Sequence, residues 1–172
     1  MAVLVISKNE YTDLAALNRV LNYILRSGIT GGYAVDPFCA YQQMVAVKKL
    51  FYKHGGAVLQ HFFISFTHAE AYRLSTDDIL SLGFEIGKAF RDFQLAYAVH
   101  LDASHIHLHC VLNTVSFVDG HKYAEGRVGF FRIKSLLDLH FPNSENRLYW
   151  SDPRSSINKY SYSQDDCFLE IN

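Results

Sequence analysis

The feature that most constrains the fold is a strict alternation of residue types within residues 100–113, HLDASHIHLHCVLN. Histidines occupy alternate positions of its second half and apolar residues fill the positions between them: His105, His107 and His109 alternate with Ile106, Leu108 and Cys110. A period of two is typical of a β-strand with one buried face. The three histidines are therefore predicted to project from one face of a sheet, each about 7 Å from the next.

The same stretch predicts a metal site. A short turn over residues 102–104 would bring His100, at the end of a preceding strand, beside the histidine strand. Two imidazoles at alternate positions of a strand can reach one ion, and His100 can complete the set. A histidine ladder that binds nothing is the alternative interpretation. Four histidines within ten residues, together with an aspartate, favour the metal site.

Composition indicates one globular domain in a reducing compartment. Of the 172 residues, 49% are hydrophobic and 19% charged, which is typical of a folded domain with a full core. The three cysteines form no CxxC pair and no disulfide framework, so we expect a cytoplasmic protein. No apolar run predicts a membrane span, and the net charge of −1 provides no general attraction for nucleic acid.

The hydrophobic periods predict an α+β fold. Strands are expected at residues 2–6, 58–66, 94–101 and from 105 to about 117, and helices at residues 13–26, 40–52, 75–91 and 130–139. The glycine-rich residues 28–37 are expected to form a loop. This order predicts a mostly antiparallel sheet of about five strands with helices packed mainly on one side. Residues 1–141 would form the core, and residues 142–172 a polar C-terminal extension of the same domain.

Three histidine ligands would leave coordination positions open, which is typical of a catalytic site. The nearby Asp102 could be a ligand, but we prefer it as the hydrogen-bond acceptor that fixes the tautomer of one imidazole. A bound ion can polarise a phosphoryl oxygen or activate a water. The chain has 11 tyrosines and no serine or cysteine nucleophile elbow, so a tyrosine nucleophile is an open alternative to water.

Residues 100–109 read H-x-D-x-x-H-x-H-x-H, and this pattern resembles the third motif of the mobilisation relaxases. These HUH-type endonucleases nick plasmid or transposon DNA at an origin of transfer. Residues 21–24 (LNYI), followed by Gly28-Ile-Thr, resemble the first motif of that family, which carries the nucleophilic tyrosine. Further likenesses are DPFC at 36–39, AVKKLF at 46–51, HFFISF at 61–66 and residues 113–120, so the resemblance covers roughly residues 20–139.

The resemblance implies the roles of individual residues. His100, His107 and His109 would hold the metal ion, and Asp102 would orient a ligand. Tyr23 would attack the scissile phosphate of single-stranded DNA and leave a 5′-phosphotyrosine link. Packing on an amphipathic helix is the alternative role for this tyrosine. The resemblance also implies a five-stranded antiparallel sheet with helices, in agreement with the fold class predicted above.

Other residues are weaker candidates around this centre. His61 and His105 would support the ligands, while Lys48, Lys49 and Arg132 would contact DNA phosphates. A solvated basic face is the alternative for the lysines. The resemblance implies Mg²⁺ or Mn²⁺, and three histidines also suit Zn²⁺, Ni²⁺ or Co²⁺ by affinity.

The expected partners are single-stranded DNA at a transfer origin and accessory mobilisation proteins. Three other functions stay open at this point. The first is a replication initiator or transposase of the same HUH class. The second is a DNA-binding relative without catalysis, and the third is a metal-dependent hydrolase unrelated to DNA.

Overall fold

The computed structural model describes residues 2–7, 11–67, 70, 72–101, 106–124, 127–142 and 147–151. Its strands are β1 (Val3–Ser7), β2 (Thr30–Tyr33), β3 (Leu59–Phe66), β4 (Leu95–Leu101), β5 (Ile106–Asn113) and β6 (Arg147–Ser151). Its helices are α1 (Leu14–Leu25), α2 (Ala40–Leu50), α3 (Thr76–Ala89) and α4 (Arg127–His140), and a 3-10 turn at Pro37–Cys39 precedes α2.

The strands form one sheet in the order β2-β4-β5-β3-β1-β6. Neighbouring strands are antiparallel except β1 and β6, which run parallel. The predicted α+β class with a mostly antiparallel sheet is therefore confirmed. The pairing of β4 with β5 sets the register that matters for the site, because His100 lies opposite His107 and Ala98 opposite His109.

The two faces of the sheet bury different residues. On one face, called the apolar face below, large side chains pack under α3 and α4, among them Phe62, Ile64, Leu95, Val99 and Leu108. On the other, called the histidine face below, the alternate strand positions carry small, polar or imidazole side chains, namely Ala96, Ala98, His100, His107, His109, Val111 and His61. Helices α1 and α2 pack against the alanines and Val111 of this face.

The helices are thus divided between the two faces, whereas the sequence predicted them mainly on one. The reason is that the second face is not wholly polar. Ala96, Ala98 and Val111 are buried there, and they require apolar cover that α1 supplies through its own apolar side. The histidines lie on the same face, next to this cover.

Strand β2 lies within the segment predicted to be a loop. Its glycines allow a close approach, because a Cβ atom on Gly31 would lie 2.4 Å from Cε2 of Tyr97 on the neighbouring strand. A Cβ atom on Gly83 of α3 would lie 2.5 Å from Cδ2 of the same ring. Glycine in a strand often marks such a close approach. The glycines therefore accommodate a tyrosine ring, and the loop prediction is wrong for residues 30–33.

The helix starts have local causes. The carboxylate of Asp13 accepts a hydrogen bond from the backbone N–H of Ala16 at 2.6 Å and so caps α1. Ser75 and Asp78 form a reciprocal capping box at the start of α3. In the part of the chain that the structure describes, no helix combines the length and apolar character that a membrane crossing requires.

The segment predicted as a polar extension contributes an edge strand. Residues Arg147–Ser151 form β6, which pairs in parallel with β1 and so belongs to the same sheet as the site. The rest of the predicted extension, apart from Pro142, lies outside the described residues. The boundary at residue 141 stays a prediction.

Candidate functional site

The three predicted ligands, His100, His107 and His109, meet on the histidine face, on two adjacent strands. The ring centroid of His109 lies 4.5 Å from that of His100 and 5.8 Å from that of His107. All three side chains are buried. The meeting follows from the register, since antiparallel partners lie about 5 Å apart and alternate positions share a face.

A fourth histidine comes from the next strand. Nε2 of His61 lies 3.3 Å from Nδ1 of His109, and the two rings are stacked with centroids 5.5 Å apart. Burial, and then the neighbouring His100, lower the pKa of His61 to about 4. His61 is therefore neutral at physiological pH. Its Nε2 can then accept the proton of His109 Nδ1, a tautomer that leaves the lone pair on His109 Nε2.

The free nitrogen of His109 has the character of a metal ligand. Its Nε2 is buried and has no hydrogen-bond partner among the described residues. Burial, followed by the charges of the three neighbouring histidines, holds the pKa of His109 well below its usual range. A buried nitrogen without a partner is costly unless something binds it. A neutral imidazole with one filled and one unfilled nitrogen is the form that binds a divalent ion.

The rings of His100 and His107 lie beside that of His109, but their nitrogen atoms do not converge on one point. Within the described residues, no three His, Cys, Asp or Glu side chains are arranged to hold a metal ion as they stand. Nε2 of His100 lies 2.7 Å from the carbonyl oxygen of Ile24, so this nitrogen donates there. Nδ1 of His100 then remains for an ion, and the terminal imidazole torsion is soft. The donor set fits a divalent ion. Asp102 and His105 lie outside the described residues.

Tyr23 lies directly over the histidine cluster. It occupies the last turn of α1, half-buried, with its ring centroid 5.4 Å from that of His100 and 5.7 Å from that of His109. The guanidinium carbon of Arg26 lies 4.9 Å from the centroid of the same ring. The helix is fixed to the strand by the contact of its Ile24 carbonyl with His100. The structure therefore brings the predicted nucleophile to two of the predicted ligands.

The three basic residues predicted to contact DNA lie in different environments. Lys48 is 2% exposed and donates to Oδ1 of Asn113, so the alternative of a solvated basic face does not apply to it, and its predicted contact with DNA phosphates stays a prediction. Burial, and then the charge of Lys122, lower the pKa of Lys48 to about 7. Lys49 is exposed on α2. Arg132 lies on α4, which packs on the apolar face, so the structure does not bring it to the histidines.

Two neighbours of the site were not predicted from the sequence. Arg26 is three residues after Tyr23, a spacing that places both on one side of a helix and could have indicated the contact. The ring of Phe63 lies 5.3 Å from that of His109 and 5.6 Å from that of His107. Phe63 shares strand parity with His61, but only the β3–β5 register shows that it lies opposite His109.

Comparison with known proteins identifies relatives of the whole domain. The sequence model of the relaxase family, described as MobA/VirD2-like, nuclease domain, matches residues 20–139. The chain is similar to the MobM relaxase domain (MOBV; Mob_Pre) bound to plasmid pMV158 oriT DNA, a Mn-bound crystal structure at pH 6.8. The TM-score is 0.56 and the identity 12%, over 95% of this chain and 96% of that chain.

A second structure, the MobM relaxase domain bound to 26-nucleotide pMV158 oriT DNA, gives a TM-score of 0.53 and 13% identity. It covers 94% of this chain and 95% of that one. At these identities the two structures establish a shared fold. None of the curated proteins matches the chain.

Proposed function

Because the chain belongs to the relaxase family of MobA/VirD2-like nuclease domains, we propose that it nicks single-stranded DNA at an origin of transfer by tyrosine transesterification. The observation that carries this proposal is the position of the Tyr23 ring, within 6 Å of the rings of His100 and His109. A phenol and a cluster of neutral imidazoles on one face are what such a reaction requires.

His100, His107 and His109 would hold a divalent ion, with Asp102 orienting one of them. His61 would hold the tautomer of His109 through their 3.3 Å contact, and we propose that His105 also supports the ligands. When bound, the ion supplies positive charge beside the phosphoryl oxygens. We propose Mg²⁺ or Mn²⁺, with Zn²⁺, Ni²⁺ or Co²⁺ as substitutes. Mn²⁺ is the ion named for the similar MobM structure.

The residues of the chain perform the rest of the reaction. The phenol oxygen of Tyr23 would attack the phosphorus, and the bond from phosphorus to the 3′ oxygen would break. The phenolic proton leaves, and the 3′ oxygen takes up a proton. A phenol has an ordinary pKa near 10, so it needs assistance to attack. We propose the cationic guanidinium of Arg26, whose carbon lies 4.9 Å from the ring centroid, as the charge that assists the attack.

A covalent-adduct assay tests the proposal. The protein is incubated with Mn²⁺ and end-labelled single-stranded oligonucleotides from candidate transfer origins, and the products are separated on a denaturing gel. We expect a protein–DNA band that requires the metal and disappears in Tyr23→Phe. Tyr72→Phe is the matched control, because Tyr72 is 95% exposed and, among the described residues, forms no ring contact with His61, His100, His107 or His109. It should form the adduct at the wild-type level.

Two results would contradict the proposal in different ways. Cleavage without a shifted band would mean that water is the nucleophile, as in a metal-dependent hydrolase. A band that persists in Tyr23→Phe would assign the attack to another tyrosine, such as Tyr33 or Tyr41 near the loop that follows α1. Accessory mobilisation proteins are the partners expected besides DNA, and adding them would increase the rate of adduct formation.

A further inference from the structure

The positive charge of the chain is concentrated in one segment. Residues 37–69 contain no aspartate or glutamate, although the whole chain contains 17 acidic residues. The same segment contains three lysines and no arginine, so its formal charge is +3. Since the net charge of the chain is −1, the remaining residues together carry −4. The weak net charge therefore hides a local basic region at α2 and the turn after it, where Lys49 and Lys53 are exposed and Lys48 is buried.

Two of the most exposed aromatic rings lie at the ends of α2. Phe38, just before the helix, is 88% exposed, and Tyr52, just after it, is 85% exposed. Between them the outer side of the helix carries Lys49, and Lys53 follows Tyr52. We call the set Phe38, Lys49, Tyr52, Lys53 and Lys122 the α2 surface.

Both rings are presented by ordered turns. The carboxylate of Asp36 accepts a hydrogen bond from the backbone N–H of Phe38 at 2.9 Å, and the N–H of Asp36 donates to Gln43 at 2.9 Å. Tyr52 has a φ of +53°, a conformation that is costly for a bulky residue. Its N–H donates to the carbonyl of Lys49 at 3.1 Å, which holds it there. An exposed aromatic ring on a strained but fixed backbone is a feature of binding sites.

The lysines of this surface are gathered without a counter-charge. Nζ of Lys122 donates to the carbonyl of Ala57 at 3.0 Å, which places it beside the turn that contains Lys53. Burial, and then the charge of Lys53, lower the pKa of Lys122. In the described ranges, neither of these lysines nor Lys49 forms an ion pair with a carboxylate. Clustered cations without acids bind phosphates well.

From this arrangement we infer that the α2 surface binds single-stranded DNA outside the histidine site, stacking bases on Phe38 and Tyr52 and holding phosphates with its lysines. The inference rests on the proposed function, because it assigns a second contact for the same DNA. The rings are separated by about 20 Å of helix, which matches roughly six stacked nucleotides.

The α2 surface and the site belong to the same side of the fold. Lys48, next to Lys49 but buried, bonds the buried Asn113, which lies four residues from His109 on β5, about 13 Å along the strand. This short distance through the fold puts the two within reach of one strand of DNA. A lipid surface fits less well, because Leu50 is the one large apolar residue exposed within α2, and amphipathic membrane helices need a contiguous apolar side.

Fluorescence anisotropy with a fluorescein-labelled oligothymidylate of about 20 nucleotides tests the stacking residues. We expect Phe38→Ala and Tyr52→Ala each to weaken binding about tenfold, while Tyr52→Phe retains it. Both rings are exposed, so thermal melting should show an unchanged fold. Wild-type affinity in both alanine variants would overturn the inference.

The salt dependence of the same binding tests the lysines. Removal of two phosphate contacts from a single strand should reduce the slope of log K against log salt by about 1.4. We expect this for Lys49→Gln combined with Lys53→Gln. The matched control combines Lys88→Gln and Lys134→Gln, two lysines on the helices of the apolar face, and should keep the wild-type slope. Equal slopes in the two double variants would overturn the inference.

Two further measurements distinguish this inference from lipid binding and from the proposed function. Binding to vesicles that contain phosphatidylserine should be unaffected by these substitutions; a loss there without a loss on DNA would assign the surface to lipid instead. Tyr23→Phe should bind oligothymidylate like the wild type and form no adduct. If adducts form but the α2 variants bind normally, the inference fails alone. If no adduct forms but the α2 variants bind weakly, the proposed function fails alone.

Discussion

The apolar face and the histidine face are made by the same strands and follow opposite rules. On the apolar face, Phe62, Val99 and Leu108 are completely buried and carry no hydrogen-bonding side-chain atom. The next position along each of these strands lies on the histidine face, where β3, β4 and β5 carry imidazole side chains. The pleat of a strand, which sends alternate residues to opposite sides, is sufficient to separate the two sets.

Burial keeps the titratable groups of both faces neutral, but with different consequences. On the apolar face, burial and then Cys110 raise the pKa of Tyr97 to about 12, and burial raises the pKa of Cys110 itself. On the histidine face, burial lowers the pKa of His61 and His109. Within the described residues, the histidine face therefore retains a buried nitrogen of a neutral ring, Nε2 of His109, that has no hydrogen-bond partner. The comparison teaches that one face stabilises the fold and the other retains binding capacity.

The largest expected effect comes from a cavity in the apolar face. Phe62 is completely buried, with its ring 5.4 Å from that of Phe130 and 6.1 Å from that of Phe90. Phe62→Ala should lower the free energy of unfolding by about 3–5 kcal/mol, measured by urea denaturation. The control is Phe38→Ala, which makes the same change at an exposed ring and should stay within about 0.5 kcal/mol. Similar losses in both variants would contradict the assignment of stability to this face.

A metal-binding experiment gives the next largest effect, and it tests the histidine face instead of the apolar face. His109→Leu should change the stability of the metal-free protein by less than about 1 kcal/mol, because removal of the unpartnered Nε2 offsets the loss of the 3.3 Å contact between Nδ1 and His61. Mn²⁺ at one hundred times its Kd should stabilise the wild type by about 2.7 kcal/mol and the variant not at all. The measurement is a thermal-shift titration reversed by a chelator.

The control for this experiment is His121→Leu. His121 is exposed, lies 2.5 Å from the carboxylate of Asp119, and belongs to the loop after β5 rather than to the histidine face. Its loss should leave the Mn²⁺ stabilisation intact. Stabilisation of His109→Leu equal to that of the wild type would place the ion elsewhere and contradict the proposed ligand set.

The fold was predictable where a residue pattern is local. The alternation in β5 and the helix starts at residues 13 and 75 depend on only a few neighbouring residues, and all three predictions hold. Strands β2 and β6 were missed because their pairing depends on distant partners. The glycines of β2 make room for Tyr97, and β6 pairs with a strand from the other end of the chain.

The site was predictable in its residues but not in its contacts. The motif spacing located the histidines, and the resemblance added Tyr23. The position of Tyr23 over the rings depends on how α1 crosses the sheet, which no local pattern encodes. Lys48 shows the same limit. Its spacing of four from Met44 places it on the buried side of α2. The cost of burying its amine is offset by the hydrogen bond to the amide of Asn113 on β5, a partner that no local pattern predicts.

The smallest expected effect, counted per pH unit, is a pH dependence of stability that belongs to the histidine side of the molecule. The pKa of Lys48 is lowered to about 7 in the folded protein, from an ordinary value of 10.5. Between these values the unfolded chain binds one more proton at this residue than the folded chain. The free energy of unfolding should therefore rise with pH by up to about 1.4 kcal/mol per unit between pH 7 and 10. Below pH 7 both states are protonated, and this contribution is constant.

Lys48→Met removes the titrating group and keeps an unbranched side chain of similar length. Denaturation at a series of pH values should show a variant more stable than the wild type near pH 7, with a difference that shrinks as the pH rises. Lys49→Met is the matched control, since Lys49 is exposed one residue along the same helix. Its profile should follow the wild type. If Lys48→Met is destabilised equally at every pH, the bond to Asn113 stabilises the fold by more than burial of the amine costs. The contrast between a face that stabilises the fold and a face that retains binding capacity then fails at this position.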